Sequence, residues 1–374
     1  MKDIKQVYVH LNINNKIYNV GILAKIRDKI YFEYDPKFLK KGFELSPFQL
    51  PLKSGAKENK DKEFNSLFGL FHDSFLNSSI ENSLHSLLNI KDNNIGALLY
   101  SLKKKIVPIE EDKLLDKPFL LQDITPSIQT EKILIQVDKR KNNIIYNKNS
   151  IQENYTHWMI KIPSSKLASF SGNIEYAYSL MAKKAGVEMP NSYLFKSTSK
   201  HSFFASKRFD RDGSNSFHTH TLAGLIHSDF RLHTLDYNDF LSVTLTITKN
   251  IKDVIKAFRV VCFSILSHIK NHNEEDITFI MNSKGDWHLA PNSNLTFSYG
   301  DSGKYSMKIM GERSWVKMEH LIQLAKAHDI KNYMQIIEEV SNAISNWISF
   351  ATIANVPKEE ALKIDTILKR INQK

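Results

Sequence analysis

Apolar and polar side chains alternate at the beginning of the chain. The alternation is clear at residues 7–11 and again at 29–32, as is typical of strands with one buried face. The stretch 53–62 is polar, charged and without periodicity, so it predicts a surface loop. Apolar spacing typical of helices follows around 64–71 and at 84–88. The first hundred residues are therefore expected to be rich in β-structure.

The pattern then changes from strands to helices. Strand-like segments at 133–137 and 158–162 flank a polar zone, 139–152, whose Lys-Asn-Asn sequence suits a hairpin turn. Helical stripes follow at 174–181, before Gly186, and at 254–266. The remaining predicted elements are a hairpin at 277–281 and 287–289 and helices at 316–327, 332–353 and 357–371, the last with Pro357 near its first turn. This order predicts an α+β protein with a β-rich N-terminal lobe and a mostly helical C-terminal lobe.

Composition is ordinary for a globular protein and adds a basic charge. The 374 residues are 42% hydrophobic and 24% charged, with a net charge of +11. A basic surface favours DNA, RNA or nucleotide phosphate as a partner. The excess positive charge comes mostly from scattered lysines, however, and these are equally typical of a solvated surface that binds no partner. Cys262, within the apolar run 260–266, is expected in a core in a reducing cytosol. No apolar run approaches the roughly 20 residues of a membrane helix and 1–20 has no signal-type run, so a cytoplasmic, non-membrane protein is expected.

Short motifs in a fixed order carry a family resemblance. They are ELSP (44–47), LPL (50–52), LFGLF (67–71), GAL (96–98), WMIKIP (158–163), IEYAYSLMA (174–182), KRFDR (207–211) and HTLAGLIHSDFR (220–231). Together they resemble the HipA family of serine/threonine kinase toxins from bacterial toxin–antitoxin systems. The resemblance implies a HipA-like, two-lobed kinase fold. Residues 1–105 would be its N-terminal subdomain, 106–210 the nucleotide-binding part and 211–374 the helical C-terminal lobe.

The resemblance also implies where ATP would bind. Lys161 and Glu175 match a nucleotide-holding lysine and its ion-pair partner on the next helix. A lysine in an otherwise apolar strand is costly to bury unpaired, which independently predicts a partner, the alternative being a snorkelling lysine. The other cofactor-binding candidates are Lys132 at the end of the phosphate loop and, around the hinge, Lys207, Phe209 and Asp210. Asp210 could contact ribose, or it could pair with Arg211 as part of the packing.

The phosphate loop departs from the family pattern. Backbone amides approach a phosphate closely where the loop is rich in glycine, but residues 125–132 read TPSIQTEK. Ser127 and Ile128 stand at glycine positions, and a β-branched residue resists positive φ. Some active members of the family autophosphorylate on a loop serine or threonine, so the resemblance makes Thr125 and Ser127 the candidates here.

The catalytic loop departs further. The family pattern N-x-D-D-H-x-K-N corresponds to residues 269–276, IKNHNEED, so the proton-accepting aspartate falls on Asn271 and Asn273 lies beside it. An amide cannot act as a general base. The metal positions fall on Asp276, which can still bind Mg²⁺, and on Asn294, where the family has an aspartate. Each catalytic loss costs about 10³-fold, roughly 4 kcal/mol, so weak or absent kinase activity is expected.

Three functional hypotheses remain open at this point. The first is a pseudokinase acting through nucleotide binding or through a HipB-like helix-turn-helix antitoxin, and through that antitoxin on operator DNA. The second is an active kinase using ATP and Mg²⁺, with Glu274, Glu275 and Asp276 as a rearranged metal site and a translation component such as an aminoacyl-tRNA synthetase as substrate. The third is a decaying gene product, suggested by the altered segment 73–80. A zinc site at His268 and His272 has little support, since no Cys or third His accompanies them, and His218 and His220 are interpreted as structural.

Overall fold

The computed structural model describes residues 4–64, 66–76, 83–90, 94–105, 132–146, 151–162, 170–196 and 202–372. The first part is an antiparallel sheet with strand order β4-β3-β2-β1-β5. Its strands are β1 (Gln6–Ile13), β2 (Lys16–Ile26), β3 (Lys29–Tyr34), β4 (Lys57–Glu58) and β5 (Leu98–Ser101). In the described residues, three short helices accompany it: α1 (Pro36–Leu39), α2 (Gly69–His72) and α3 (Leu84–Ile90). The alternation in β1 buries every second side chain, as the sequence pattern predicts.

A second antiparallel sheet follows, with order β7-β6-β8-β10-β9. It consists of β6 (Lys132–Asp138), β7 (Ile144–Tyr146), β8 (Tyr155–Lys161), β9 (Ser192–Lys196) and β10 (Ser202–Lys207). Helix α4 (Ser171–Lys184) connects β8 to β9. The sheet has a small hydrophobic core of its own, with Trp158 and Phe203 among its members. Because β6 and β8 pair antiparallel with Lys132 opposite Lys161, both lysines lie at the same end of this sheet.

The C-terminal part is mostly helical. A hairpin of β11 (Arg211–Asp212) and β12 (Asn215–Ser216) precedes a three-stranded sheet of β13 (His218–Thr221), β14 (Thr278–Met281) and β15 (Trp287–Leu289). Its helices are α5 (Leu222–Ile226), α6 (Tyr237–Thr248), α7 (Ile251–Leu266), α8 (Met318–Ala327), α9 (Tyr333–Ser345), α10 (Trp347–Ile353) and α11 (Lys358–Asn372). The apolar stripe of α7 is buried and includes Cys262, a free thiol with no exposed surface, as expected.

The N-terminal subdomain packs against the helical lobe. Both contribute to one large hydrophobic core, which is separate from the core of the second sheet. At their contact, a Cβ on Gly69 of α2 would lie only 2.3 Å from the carbonyl oxygen of Gly224 in α5. Two glycines therefore allow these helices to touch backbone to backbone. The indole of Trp287 donates to the carbonyl of Glu44, 3.1 Å away, across the same boundary.

Several local predictions were wrong in detail. Residues 332–353 form two helices, since α9 ends where Asn346 donates a side-chain hydrogen bond to the carbonyl of Asn342. Trp347 then begins α10 fully buried, with its indole donating to the carbonyl of Ala361. Within 64–71 the helix includes only the last three residues, and the predicted loop 53–62 contains β4. No helix in the described part of the chain is long and apolar enough to cross a membrane.

Candidate functional site

A cleft opens between the second sheet and the helical lobe, and the N-terminal subdomain closes its third side. Apolar side chains and ionisable groups share its wall. The wall includes Phe64, His72, Asp73 and Phe75 from the N-terminal subdomain, Lys132, Met159, Lys207, Phe209 and Asp210 from the second sheet and hinge, and Glu275, Asp276 and Asn294 from the helical lobe. Three distant parts of the sequence therefore form one site.

Lys161 and Glu175 form an ion pair at the edge of this cleft. Lys161 is the last residue of β8, and Glu175 lies in the second turn of α4. The ammonium of Lys161 donates to the carboxylate of Glu175, and both side chains are largely buried, at 19% and 10% exposed. The partner predicted for Lys161 from the cost of burying it unpaired is therefore present.

Asn294 connects this pair to the opposite side of the cleft. Its side-chain oxygen accepts a hydrogen bond from the Lys161 ammonium, and its amide group donates to Asp276 Oδ1. Lys161 also lies 3.4 Å from the carbonyl oxygen of Ser293. The three donors of the ammonium thus have three acceptors: Glu175, Asn294 and Ser293.

The loop before β14 satisfies its own polar groups. The second oxygen of Asp276 accepts the backbone N–H of Asn273 at 3.1 Å, while Asn273 Oδ1 accepts the backbone N–H of Glu275 at 2.8 Å. Asn271 is exposed, and its backbone N–H donates to Ser298 Oγ. Neither Asn271 nor Asn273 belongs to the wall of the cleft.

The two glutamates of this loop lie in different environments. Glu274 is buried, its carboxylate accepts a hydrogen bond from Ser228 Oγ at 2.8 Å, and it does not line the cleft. Glu275 does line the cleft. Burial is the main cause that raises the pKa of Glu275 to about 7; the nearby carboxylates of Asp276 and Asp73 act in the same direction, and His72 acts against them. Near neutral pH this side chain is therefore ionised only in part.

These residues do not fit a bound Mg²⁺ ion. Magnesium prefers oxygen ligands in octahedral geometry and is usually held by one or two carboxylates. Both oxygens of Asp276 already accept hydrogen bonds, and the side-chain oxygen of Asn294 accepts one from a cation. In the described parts of the chain, no three His, Cys, Asp or Glu side chains come together as a metal site. His268 and His272 do not share a helix either, because α7 ends at Leu266.

Asp210 is the centre of a buried ion-pair network at the hinge. Its carboxylate accepts hydrogen bonds from Arg208, from Arg211 and from the backbone N–H of Gly96. Burial alone would raise the pKa of Asp210, but the two guanidinium groups hold it well below its usual range. Since both arginines also donate to the carbonyl of Asn94, the network attaches the N-terminal subdomain to the hinge. The ion pair with Arg211 is thus present, although Asp210 also lines the cleft.

Asp73 anchors a second buried network, which the sequence did not reveal. Its carboxylate accepts hydrogen bonds from the ring of His220 and from the backbone and hydroxyl of Thr221, at 2.5–2.9 Å. The other ring nitrogen of His220 lies 3.0 Å from Ser46 Oγ. This serine–histidine–aspartate order resembles a hydrolase triad in connectivity, but Ser46 and His220 have no exposed surface and no substrate can reach them. The network is structural, in agreement with the interpretation of His220, and its only sequence signal is the Asp-Ser pair retained at 73–74.

The structure thus brings together most of the candidates from the sequence. Lys132, Lys207, Phe209, Asp210, Asp276 and Asn294 line one cleft, and Lys161 and Glu175 adjoin it through Asn294. Asn271 and Asn273 lie outside its wall, and Thr125 and Ser127 lie outside the described residues. Sequence reasoning missed the contribution of His72, Asp73 and Phe75 from the N-terminal subdomain.

Comparison with solved structures defines the class of fold. The chain superposes on HipA of Shewanella oneidensis MR-1, from a complex of HipA, HipB and operator DNA, with a TM-score of 0.68 at 13% identity, covering 97% of this chain and 95% of that one. A second match, the Helicobacter pylori proinflammatory kinase CtkA, has a TM-score of 0.36 at 11% identity and covers 60% of this chain and 92% of that one. No curated protein sequence gives a significant match. The protein has a two-lobed α+β fold of the kinase type, as the sequence predicted.

Family models then identify the particular family. The HipA-like C-terminal domain matches residues 129–348, and the HipA N-terminal domain matches residues 11–106. The chain belongs to the HipA family, and the resemblance read from the sequence is confirmed.

Proposed function

We propose that this HipA-family protein acts through partner binding and transfers phosphoryl groups poorly or not at all. The observation that carries the proposal is the position of Asn294, an amide that bridges Lys161 and Asp276 where the family pattern has a metal-binding aspartate. Phosphoryl transfer depends on positioning and on neutralising charge, mostly with a metal ion. An amide at this position weakens the neutralisation of charge, and Asn271, at the catalytic-loop position, is an exposed amide outside the wall of the cleft that supplies no general base.

The partner we propose is a small helix-turn-helix antitoxin. The solved structure that matches over nearly the whole chain comes from a complex of HipA with HipB and operator DNA. The N-terminal subdomain and the helical lobe share one core here, so the body that would carry such a partner is a rigid scaffold rather than two loosely linked units. Operator DNA would be reached through the antitoxin.

An interaction test follows from this proposal. The chain is co-expressed with a small helix-turn-helix protein of the HipB type, and the complex is measured by size-exclusion chromatography with light scattering. We expect a stable complex, and we expect Asp276→Asn to leave its stability unchanged, because binding does not use the cleft. Failure to form any complex, or loss of the complex on Asp276→Asn, would contradict the proposal.

A second candidate function is an active serine/threonine kinase. It is favoured by the intact Lys161–Glu175 ion pair and by the acidic side chains of Glu275 and Asp276 in the cleft. Against it, Glu274 points its carboxylate at Ser228, so the rearranged metal site loses one of its three acids. ATP, Mg²⁺ and a substrate such as an aminoacyl-tRNA synthetase belong to this second candidate only.

A further inference from the structure

A cation that belongs to the protein itself lies at the edge of the cleft. The Lys161 ammonium is held by Glu175 and Asn294, with the Ser293 carbonyl 3.4 Å away. The Asp276 carboxylate lies on the far side of the same amide. The order along this chain of contacts is carboxylate, ammonium, amide, carboxylate, and every link is a hydrogen bond that involves a charged group.

The amide of Asn294 suits this arrangement better than a carboxylate would. An asparagine side chain has an acceptor at one end and a donor at the other, so it can join a cation to an anion. Here the acceptor faces the Lys161 ammonium and the donor faces Asp276. A carboxylate at the same place would have no proton for Asp276, and two carboxylates that face each other attract a cation.

We propose that Asn294 is an interlobe tie that excludes divalent cations from the cleft, because its amide binds the Lys161 ammonium on one side and the Asp276 carboxylate on the other, in the place of a metal ion. Lys161 comes from the second sheet, whereas Asp276 and Asn294 come from the helical lobe, so the tie also joins the two lobes. To admit a metal ion the protein would have to break both hydrogen bonds of Asn294 and leave the ammonium with Glu175 and the Ser293 carbonyl. This inference rests on the proposed function, because it assumes that the cleft performs no metal-dependent reaction.

The test measures Mn²⁺ binding to the purified full chain, in the absence of nucleotide and partner, from the loss of the free Mn²⁺ signal in electron paramagnetic resonance. Wild-type protein is expected to bind Mn²⁺ at the cleft too weakly to be detected, which sets a lower limit on its dissociation constant. Asn294→Asp removes the donor facing Asp276 and adds a negative charge, and we expect at least about tenfold tighter Mn²⁺ binding. The control variant Asn342→Asp adds the same charge on the exposed face of α9 and should leave binding at the wild-type level.

Two further variants locate the site and guard against misfolding. Adding Asp276→Asn to Asn294→Asp restores a single carboxylate and should abolish the gain. Lys161→Gln removes the internal cation while Glu175, Asp276 and the Asn294 oxygen remain, so it should also gain Mn²⁺ binding. The proposal would be overturned if wild-type protein bound Mn²⁺ and Asp276→Asn removed that binding. It would also be overturned if the Asn294→Asp and Lys161→Gln variants folded but bound Mn²⁺ no more tightly than wild type. Because no phosphoryl transfer and no partner is measured, these outcomes are independent of the tests of the proposed function.

Discussion

Replacing Asp210 by asparagine should destabilise the protein strongly, because this carboxylate is the centre of the buried ion-pair network at the hinge. The Asp210 carboxylate accepts hydrogen bonds from Arg208 Nε at 2.9 Å and Nη2 at 2.6 Å, from Arg211 Nη1 at 2.9 Å and from the N–H of Gly96 at 2.9 Å. All three charged side chains are less than 10% exposed. Asp210→Asn keeps the shape but removes the negative charge and turns an amide donor towards other donors.

The size of the effect follows from burial. Removing one partner of a buried ion pair costs about 3–5 kcal/mol, because it leaves a charge without compensation. The two guanidinium groups keep carbonyl acceptors on Asn94 and Gly96, which favours the lower end, about 3 kcal/mol. Equilibrium unfolding in urea, followed by circular dichroism, measures the change in the free energy of unfolding.

The chain offers a matched control in Asp229 and Arg231. This pair has the same side chains two residues apart and similar contact distances of 2.7 and 2.8 Å, but Arg231 is 64% exposed. Exposed ion pairs contribute about 0–1 kcal/mol, so Asp229→Asn should cost less than about 1 kcal/mol. If Asp210→Asn costs no more than Asp229→Asn, the argument that burial makes the hinge network important for stability is refuted.

Three further predictions concern single positions. Burial, together with the charge of His220, lowers the pKa of His218 to about 3. In the unfolded chain the His218 imidazole binds a proton below about pH 6.5, whereas in the folded protein it does not, so the free energy of unfolding falls as the pH falls from about 7.5 to 5. In urea titrations, His218→Gln should reduce this loss by about 2 kcal/mol. Equal losses in wild type and His218→Gln would contradict the prediction. Gly69→Ala places a Cβ 2.3 Å from the carbonyl oxygen of Gly224 and should lower the free energy of unfolding in urea by about 1–3 kcal/mol. An unchanged midpoint of urea unfolding would show that α2 and α5 separate easily. Cys262 is fully buried, with its pKa raised by burial, and should react with a thiol reagent only at the rate of unfolding; fast labelling of native protein would mean that α7 opens locally.

Elements with strong periodicity were predictable from the sequence. The stripe of α7 and the alternation of β1 each bury one face, and a local pattern is enough to show this. The end of α9 was not predictable, because the apolar spacing continues through Asn346. There the tertiary contacts of Trp347 with Tyr178 and with the carbonyl of Ala361 decide where the chain turns.

The candidate site was predictable only in part, for a similar reason. Motif order was enough to find Lys161, Glu175, Asp276 and Asn294, and the cost of burying a lysine predicted its partner. The link made by Asn294 is a contact between residues 133 positions apart, and no local pattern contains it. Asp73 contacts His220 over 147 positions, so its place in the cleft wall was equally hidden.

The rate of phosphoryl transfer tests the central claim most directly. Release and transfer of the ATP γ-phosphate to the protein itself and to a generic protein substrate are measured with Mg²⁺ for wild type and for Asn271→Asp/Asn294→Asp. The two restored carboxylates supply a proton acceptor and a metal ligand, so we expect wild type at background and a gain of about 10²-fold or more in the double variant. Wild-type turnover well above background, with no gain on restoration, would contradict the account and establish the active kinase instead.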